Sequence, residues 1–325
     1  MRQQLIRGVT MRPLRPSTSL QHEAITPSLG PARRPRAQAS HNSHDHRSLA
    51  AASSSSPVPH LRAPNLLHAR QPSHVDVVAH HLQSQGILKV TLDFPDPESR
   101  YLEHLIASLH QHHGHRLPVS HSASRGWFWD VRPAASDFQT RNHQARSETM
   151  AEFPWHTDCS YEDPTPRLFA LQILRHDHLG GGTLSVANVD QLLRHLSPRT
   201  RLALARDEFE IAVPKEFSKS PERTSITGRL LSTSRGRGAL RFRRDILAPL
   251  TPAAAAALDE LNAALEMVHV LAPQAMLHLP ASDLPSGSVI LVDNFRWLHA
   301  RTDIRDQARH LRRVRWDAVP FGEKP

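Results

Sequence analysis

Residues 153–163 read Phe-Pro-Trp-His-Thr-Asp-Cys-Ser-Tyr-Glu-Asp, and the centre of this run, His156-Thr157-Asp158, governs the reading of everything around it. In an extended strand, residues two apart point to the same side, so one imidazole and one carboxylate would converge on a point. A nitrogen and an oxygen donor from one short segment make two-thirds of a 2-His-1-carboxylate set. That set holds non-haem ferrous iron and leaves coordination positions open. Alone, His-x-Asp is a weak signal in a chain with 24 histidines, where a surface or cap pair is the ordinary explanation. Its weight comes from the residues downstream.

After Asp158 the mostly apolar run Arg167-Leu-Phe-Ala-Leu-Gln-Ile-Leu174 predicts a strand buried on both faces. The triplet Gly180-Gly-Gly182 ends it in a turn before Thr183-Leu-Ser-Val186. Further on, Pro285-Ser-Gly287 is a turn signal ahead of the strand Val289-Ile-Leu-Val292, which leads into Asp293-Asn-Phe-Arg-Trp-Leu-His-Ala-Arg301. His299, at the far end of this element, is the natural third ligand. Arg309-His-Leu-Arg-Arg-Val-Arg-Trp316 reads as another strand, with Arg309, Leu311, Arg313 and Arg315 on one face. Arg309 and Arg313 would lie roughly 13 Å apart at about 3.3 Å per residue, so both could enter one cavity without sharing a carboxylate. Arginine suits carboxylate capture because its planar donors form bidentate, charge-assisted hydrogen bonds. The strand spacing predicts a barrel in which distant segments meet at one mouth.

The ordered set Trp-His-Thr-Asp, Gly-Gly-Gly-Thr, Asp-Asn-x-Arg-x-x-His and Arg-x-x-x-Arg resembles the TauD/TfdA family of Fe(II)- and 2-oxoglutarate-dependent dioxygenases, in the clavaminate synthase-like superfamily. The resemblance covers roughly residues 75–322. It implies a mainly β fold with flanking helices around a double-stranded β-helix (jelly-roll) core. It also implies that His156, Asp158 and His299 hold iron and that Thr183 and Arg309 hold the distal carboxylate of 2-oxoglutarate. Arg313 matches a position that meets an acidic group of the primary substrate in some members; the alternative is that it pairs with a protein acid such as Glu148 or Glu152. The His-to-Arg spacing in the family varies by about a residue, so Arg312 and Arg313 also stand as partners for the cosubstrate. The implied reaction consumes O2 and oxidises, by preference hydroxylates, a small anionic organic substrate, with release of succinate and CO2.

The net charge of +9 raises the question of nucleic acid, but the charge is unevenly placed. Residues 1–74 carry ten Arg, no Lys, and only Glu23 and Asp45 as acids, a net of +8. The remainder holds 30 basic and 29 acidic residues, a net of +1, so no nucleic-acid partner is expected for the folded part. Segment 1–74 is rich in Ser, Pro, Ala, Arg and His and lacks a core-forming period, so it reads as a disordered tail ahead of a dioxygenase domain at 75–325. Arg- and Ser-rich, acid-poor composition is also that of a mitochondrial transit peptide, and residues 2–12 fit one short amphipathic helix. No apolar run approaches the ~20 residues that span a bilayer, so an intracellular soluble protein, cytoplasmic or mitochondrial, is expected. The single Cys159 excludes an intrachain disulfide and a Cys-rich zinc site.

Tyr101, Leu102, Leu105, Ile106 and Leu109 predict a helix closed by Gly114. Further helices are predicted over 190–196, from Ser197-Pro198, and from Thr251-Pro252, the last with the stripe Leu258, Leu261, Leu265 and Val268. Residues 215–240 read as a long loop. The clusters His41/His44/His46 and His112/His113/His115 are expected to be ordinary polar residues, and Trp127, Phe128 and Trp129 to be core. Two other functions compete: a zinc-dependent hydrolase, which would need a general base and has no use for Arg309 or Thr183, and a catalytically inactive jelly-roll binding module, against which the intact triad argues.

Overall fold

The computed structural model describes residues 58–120, 126–136, 138–140, 143–218, 222–234, 236–271 and 273–322. Along the chain, β1 (His60–Ala63), α1 (Pro72–Ser84), β2 (Ile87–Leu92), α2 (Arg100–His113) and β3 (Phe128–Val131) precede the metal motif. Then come β4 (Phe153–His156), β5 (Thr165–Arg175), β6 (Leu184–Asn188), α3 (Val189–Leu193) and α4 (Pro198–Leu204). The short strands β7 (Phe209–Ala212), β8 (Ser225–Gly228), β9 (Leu231–Ser234), β10 (Arg237–Leu240) and β11 (Leu247–Pro249) follow. The chain closes with α5 (Pro252–Glu266), α6 (Val268–Leu271), β12 (Met276–Leu279), β13 (Ser288–Asp293), β14 (Trp297–Arg301) and β15 (His310–Val319).

Two sheets carry the fold. The larger has the order β1-β2-β13-β5-β15-β3 and the smaller the order β12-β6-β14-β4. Only the β1–β2 pair is parallel among these neighbours. The period-2 alternation of side chains divides each central strand between two cores. Ile290 and Val292 of β13 and Phe169, Leu171 and Ile173 of β5 pack with Leu184 and Val186 of β6 and Leu279 of β12, so the two sheets face each other across this layer. The intervening residues Val289, Leu291, Leu168 and Ala170 turn outward onto Val78, Leu82, Leu102 and Ile106 of α1 and α2. On the far side, Leu298 of β14 and Ala187 of β6 pack against Leu258, Leu261 and Leu265 of α5. The structure is therefore mainly β with flanking helices, as the apolar runs predict.

The helix boundaries follow from local chemistry. The apolar stripe of α2 is wholly buried, and Gly114 takes the left-handed conformation (φ 71°) that closes a helix. The Thr251 side chain accepts a hydrogen bond from Ala254 N at 3.1 Å, and Pro252 stands at the first position of α5. The predicted 190–196 helix is shorter, Val189–Leu193, capped by Asn188.

Three expectations are corrected. Folded structure begins before residue 75: β1 pairs along β2, and Ala63 and Ala69 are fully buried. Polar spacing between these few apolar contacts hides them in the sequence. Residues 1–57, with His41, His44, His46 and the 2–12 segment, lie outside the described residues. Residues 215–240 hold β8, which pairs with β7, and the β9–β10 hairpin, rather than forming one loop. The third differs only in detail: the 293–301 segment that carries His299 is not one element, since the chain turns at 294–296 and only Trp297–Arg301 forms a strand, β14, in the other sheet. The aromatic run behaves as expected, with Trp129 buried and Trp127 and Phe128 packed against the core. His113 pairs with Asp76 at 3.0 Å, and His115 accepts from the Trp316 indole at 3.2 Å.

Candidate metal centre and its two cavities

β4 stops at His156, and Asp158 stands in the turn after it. The same-side geometry of a strand therefore does not aim these two side chains; the turn does. Thr157 fixes it, donating its N–H to Phe242 O at 2.7 Å while its hydroxyl accepts from Phe242 N at 2.9 Å. Asn294 fixes the other side: its Oδ1 accepts from Asp158 N at 2.8 Å, and its Nδ2 donates to the carbonyls of Asp158 and Pro166. His299 comes in from β14, where it sits directly opposite His156 of β4.

The outcome is a compact donor set. His156 Nε2 and His299 Nε2 lie 3.7 and 3.8 Å from Asp158 Oδ1, and one ligand atom from each of the three residues lies within 4.8 Å of the others. All three side chains are buried. The His156 Nδ1–H donates to Pro154 O at 2.8 Å, which leaves the Nε2 lone pair for a metal. Burial, with His299 alongside, holds the His156 imidazole well below its usual range and hence neutral. Burial alone would raise the Asp158 carboxyl, but Arg313, Arg315 and His299 hold it well below the usual carboxylate range. Phe153 stacks on His156 at 3.6 Å between ring centroids, and Phe169 packs against His299 at 4.6 Å. Two buried imidazoles and one ionised carboxylate on a single point are a donor set for ferrous iron.

Two cavities meet at this centre and share His156, Asp158, Phe153, Ser147 and Arg313. The first, about 780 Å³ including the space open to solvent, runs between the sheets past Leu171, Ile173 and Leu284. Arg309 enters it. Its Nη1 is buried without a hydrogen-bond partner, and burial, with Arg301 alongside, pushes the guanidinium down to about 9 against the opposing pull of Asp177. Gly182 (φ 64°) makes room for it, since a Cβ there would lie 2.7 Å from Arg309 Nε. The nearby Asp177 is occupied by the backbone N–H groups of Leu179, Arg305 and Asp306. Thr183 is not among the residues lining this cavity; its backbone brackets Thr302.

The second cavity, about 340 Å³ on the same basis, is lined by Arg146, Arg243, Arg313 and Arg315 together with Tyr161 and Phe217. Arg313 pairs with Asp158, its Nη1 3.2 Å from Oδ2, and not with Glu148 or Glu152. Glu148 is taken by the N–H groups of Gln139 and Ala145. Arg309, Leu311 and Arg313 face the first cavity and Arg313 and Arg315 the second, so the predicted single face of β15 is what lines the centre. Arg312 turns away to Asp130. Sequence reasoning missed Asn294 as a tether, and it missed Arg146 and Arg243, which carry no local motif. The Asp-Asn-x-Arg-x-x-His pattern was the signal available for the tether: Asp293 accepts from Phe295 N and Arg296 N, and Arg296 caps α1 through the carbonyls of Leu82, Gln83 and Ser84.

A buried His-Asp-His centre between two facing sheets, with a partnerless arginine in the adjoining cavity, defines a non-haem metal site of the kind oxygenases use. The sequence model of the taurine catabolism dioxygenase TauD, TfdA family matches residues 71–315, and the chain belongs to that family. It is 29% identical over 179 residues to clavaminate synthase 2 of Streptomyces clavuligerus, a match spanning 53% of this chain and about half (51%) of that protein. Among solved structures it is similar to asparagine oxygenase in complex with Fe(II), 2S,3S-3-hydroxyasparagine and succinate (TM-score 0.60, 20% identity, covering 79% of this chain and 84% of that one). It is also similar to the non-heme iron oxygenase OrfP in complex with Fe and alpha-ketoglutaric acid (TM-score 0.59, 20% identity, 78% and 81%). At these identities the two structures speak for the fold.

Proposed function

We propose that the chain is an Fe(II)- and 2-oxoglutarate-dependent dioxygenase on a double-stranded β-helix (jelly-roll) core that hydroxylates a small anionic organic substrate. The observation that carries this reading is the pairing of a complete His156–Asp158–His299 donor set with the unpartnered buried Arg309 in the adjoining cavity. His156, Asp158 and His299 hold the metal; Arg309 holds the distal carboxylate of 2-oxoglutarate, and Thr183, expected beside it, stays outside the cavity lining. Arg313 meets an acidic group on the substrate from the second cavity. When bound, the iron and the 2-oxo acid supply the oxidant: with O2, the cosubstrate becomes succinate and CO2, and one oxygen atom enters a substrate C–H bond. The chain's own part is positional. Phe153 and Phe169 hold the imidazole planes, Asn294 holds the turn that aims Asp158, and the apolar walls of the first cavity limit water around the cosubstrate.

The zinc-hydrolase reading needs a general base beside the metal. Asp177, the carboxylate in the first cavity that is not a metal ligand, already accepts backbone hydrogen bonds. A binding module would have no use for an intact donor set. Among the described residues no helix is long and apolar enough to cross a membrane. The segment before residue 58 fits targeting to mitochondria by composition, which subcellular imaging of a tagged full chain would test. Succinate formation from 2-oxoglutarate in the presence of Fe(II), ascorbate and oxygen tests the activity. The expected outcome is iron-dependent succinate release, and a protein active only with Zn(II) on esters or amides would overturn it.

A further inference from the structure

Five residues line both cavities, and four of them are already engaged. His156 and Asp158 belong to the metal centre, Arg313 is paired with Asp158, and Phe153 is apolar and stacked on His156. The fifth is Ser147. It is 5% exposed, and its hydroxyl is buried with no hydrogen-bond partner. A serine in a tight turn ordinarily satisfies its hydroxyl on nearby backbone. Thr149, two positions on, does so, donating to Arg146 O at 2.9 Å. Ser147 makes no such bond and stands in the wall where the two cavities meet.

The segment that carries it is held from both ends. Ser147 lies in the single 3-10 turn Arg146–Glu148. The buried Glu148 carboxylate accepts from Gln139 N and Ala145 N at 2.8 and 2.9 Å, and the Glu148 carbonyl accepts from Ala134 N at 3.0 Å. On the other side, the buried Arg301 donates to the carbonyls of Thr149 and Ala151 at 3.3 and 2.8 Å. Arg301 belongs to β14, two residues beyond His299, so the strand that supplies a metal ligand also fixes the turn that carries Ser147. A buried hydroxyl left unpaired costs free energy, and a turn anchored on both sides gives it no other partner. A ligand group at the junction completes it.

A primary substrate brings to the metal the C–H bond that is oxidised, which offers a hydroxyl nothing to bond. A 2-oxo acid held at its far end by Arg309 brings its 1-carboxylate and 2-oxo oxygens, which are acceptors only. We infer that the Ser147 hydroxyl donates a hydrogen bond to the metal-binding, 2-oxo acid end of the cosubstrate. This rests on the dioxygenase reading and deepens it: Arg309 recognises the distal carboxylate, and Ser147 is a second cosubstrate-binding residue, for the opposite end of the molecule.

The test uses the full chain loaded anaerobically with Fe(II), in which a bound 2-oxo acid gives a visible metal-to-ligand charge-transfer band. The acceptor orbital of that transition lies on the 2-oxo acid group, so a hydrogen bond donated to this end lowers its energy. Ser147→Ala should therefore move the band to shorter wavelength and raise the Kd of 2-oxoglutarate about tenfold, the scale of one charge-assisted hydrogen bond. 2-Oxopentanoate, which keeps the 2-oxo acid end and lacks the distal carboxylate, should show the same shift. The metal-free Ser147→Ala chain should unfold at the temperature of the unaltered chain or above it, because the substitution removes a buried unpaired hydroxyl. An unmoved band in this variant overturns the inference and leaves the dioxygenase reading standing. A shift accompanied by a lower unfolding temperature overturns it too, since Ser147 would then be a structural residue of the turn. Absence of the band from the unaltered chain overturns the dioxygenase reading and the inference with it.

Discussion

The two cavities that meet at the metal centre handle positive charge in opposite ways. The first is large and apolar and receives Arg309, which no carboxylate contacts directly and which only the nearby Asp177 offsets through space. The second is small and crowded with guanidinium groups, most of them partly offset by Asp158 and Asp245. A lone buried cation is a high-stakes contact, because only an incoming anion can relieve it. A set of partly neutralised cations acts as a graded filter, in which losing one member shifts selectivity more than it abolishes binding. The first pattern suits a cosubstrate common to every turnover, and the second suits discrimination among substrates.

The centre between the cavities bears the largest consequence. His299→Ala or Asp158→Ala should abolish iron-dependent succinate release and the visible band together; a variant that keeps either would break the proposed donor set. Arg309→Ala comes next. It should raise the KM for 2-oxoglutarate about a hundredfold, since it removes the charged partner of a buried carboxylate. Arg313→Ala should raise the KM of the primary substrate by about tenfold and change that of 2-oxoglutarate far less. Paired titrations giving the reverse order would exchange the roles of the two cavities. The smallest effect is expected from Gly182→Ala. Its positive φ and the approach of Arg309 should displace the guanidinium slightly and raise the KM for 2-oxoglutarate about threefold to tenfold, at a cost of about 1 kcal/mol. A variant with unchanged KM would show that Arg309 can shift without loss.

Much of this was readable in the chain because it is periodic or local. The stripes of α2 and α5, the double-sided apolar runs of β5 and β13 and the alternating face of β15 are written in residue spacing. The three residues of the candidate donor set were visible through their motifs, although the strand argument for Asp158 was wrong in its cause: a turn held by Thr157 and Asn294 aims the carboxylate. What stayed hidden depends on contacts between distant segments. Arg146 and Arg243 meet only because both lie against Phe153, and no periodicity marks such a meeting. β1 and the short helical turn Leu66–Arg70 after it were absorbed into the polar tail because their few buried residues, Ala63 and Ala69, are too small to stand out. β8–β10 were lost because short strands rich in Ser, Thr, Arg and Gly have the composition of a loop.

The Asn294 tether has a further consequence for how the chain acquires its metal. Asn294 and Asp158 are 136 positions apart, and His299 and His156 face each other across two strands that the sequence keeps slightly farther apart still. No fragment shorter than that interval contains the complete set, so a partly translated chain offers the metal at most the local His156–Asp158 pair without His299. Affinity for the ion is then a property of the closed tertiary structure, and by linkage the ion works as a clasp on it, raising the unfolding temperature in proportion to the logarithm of its free concentration above Kd.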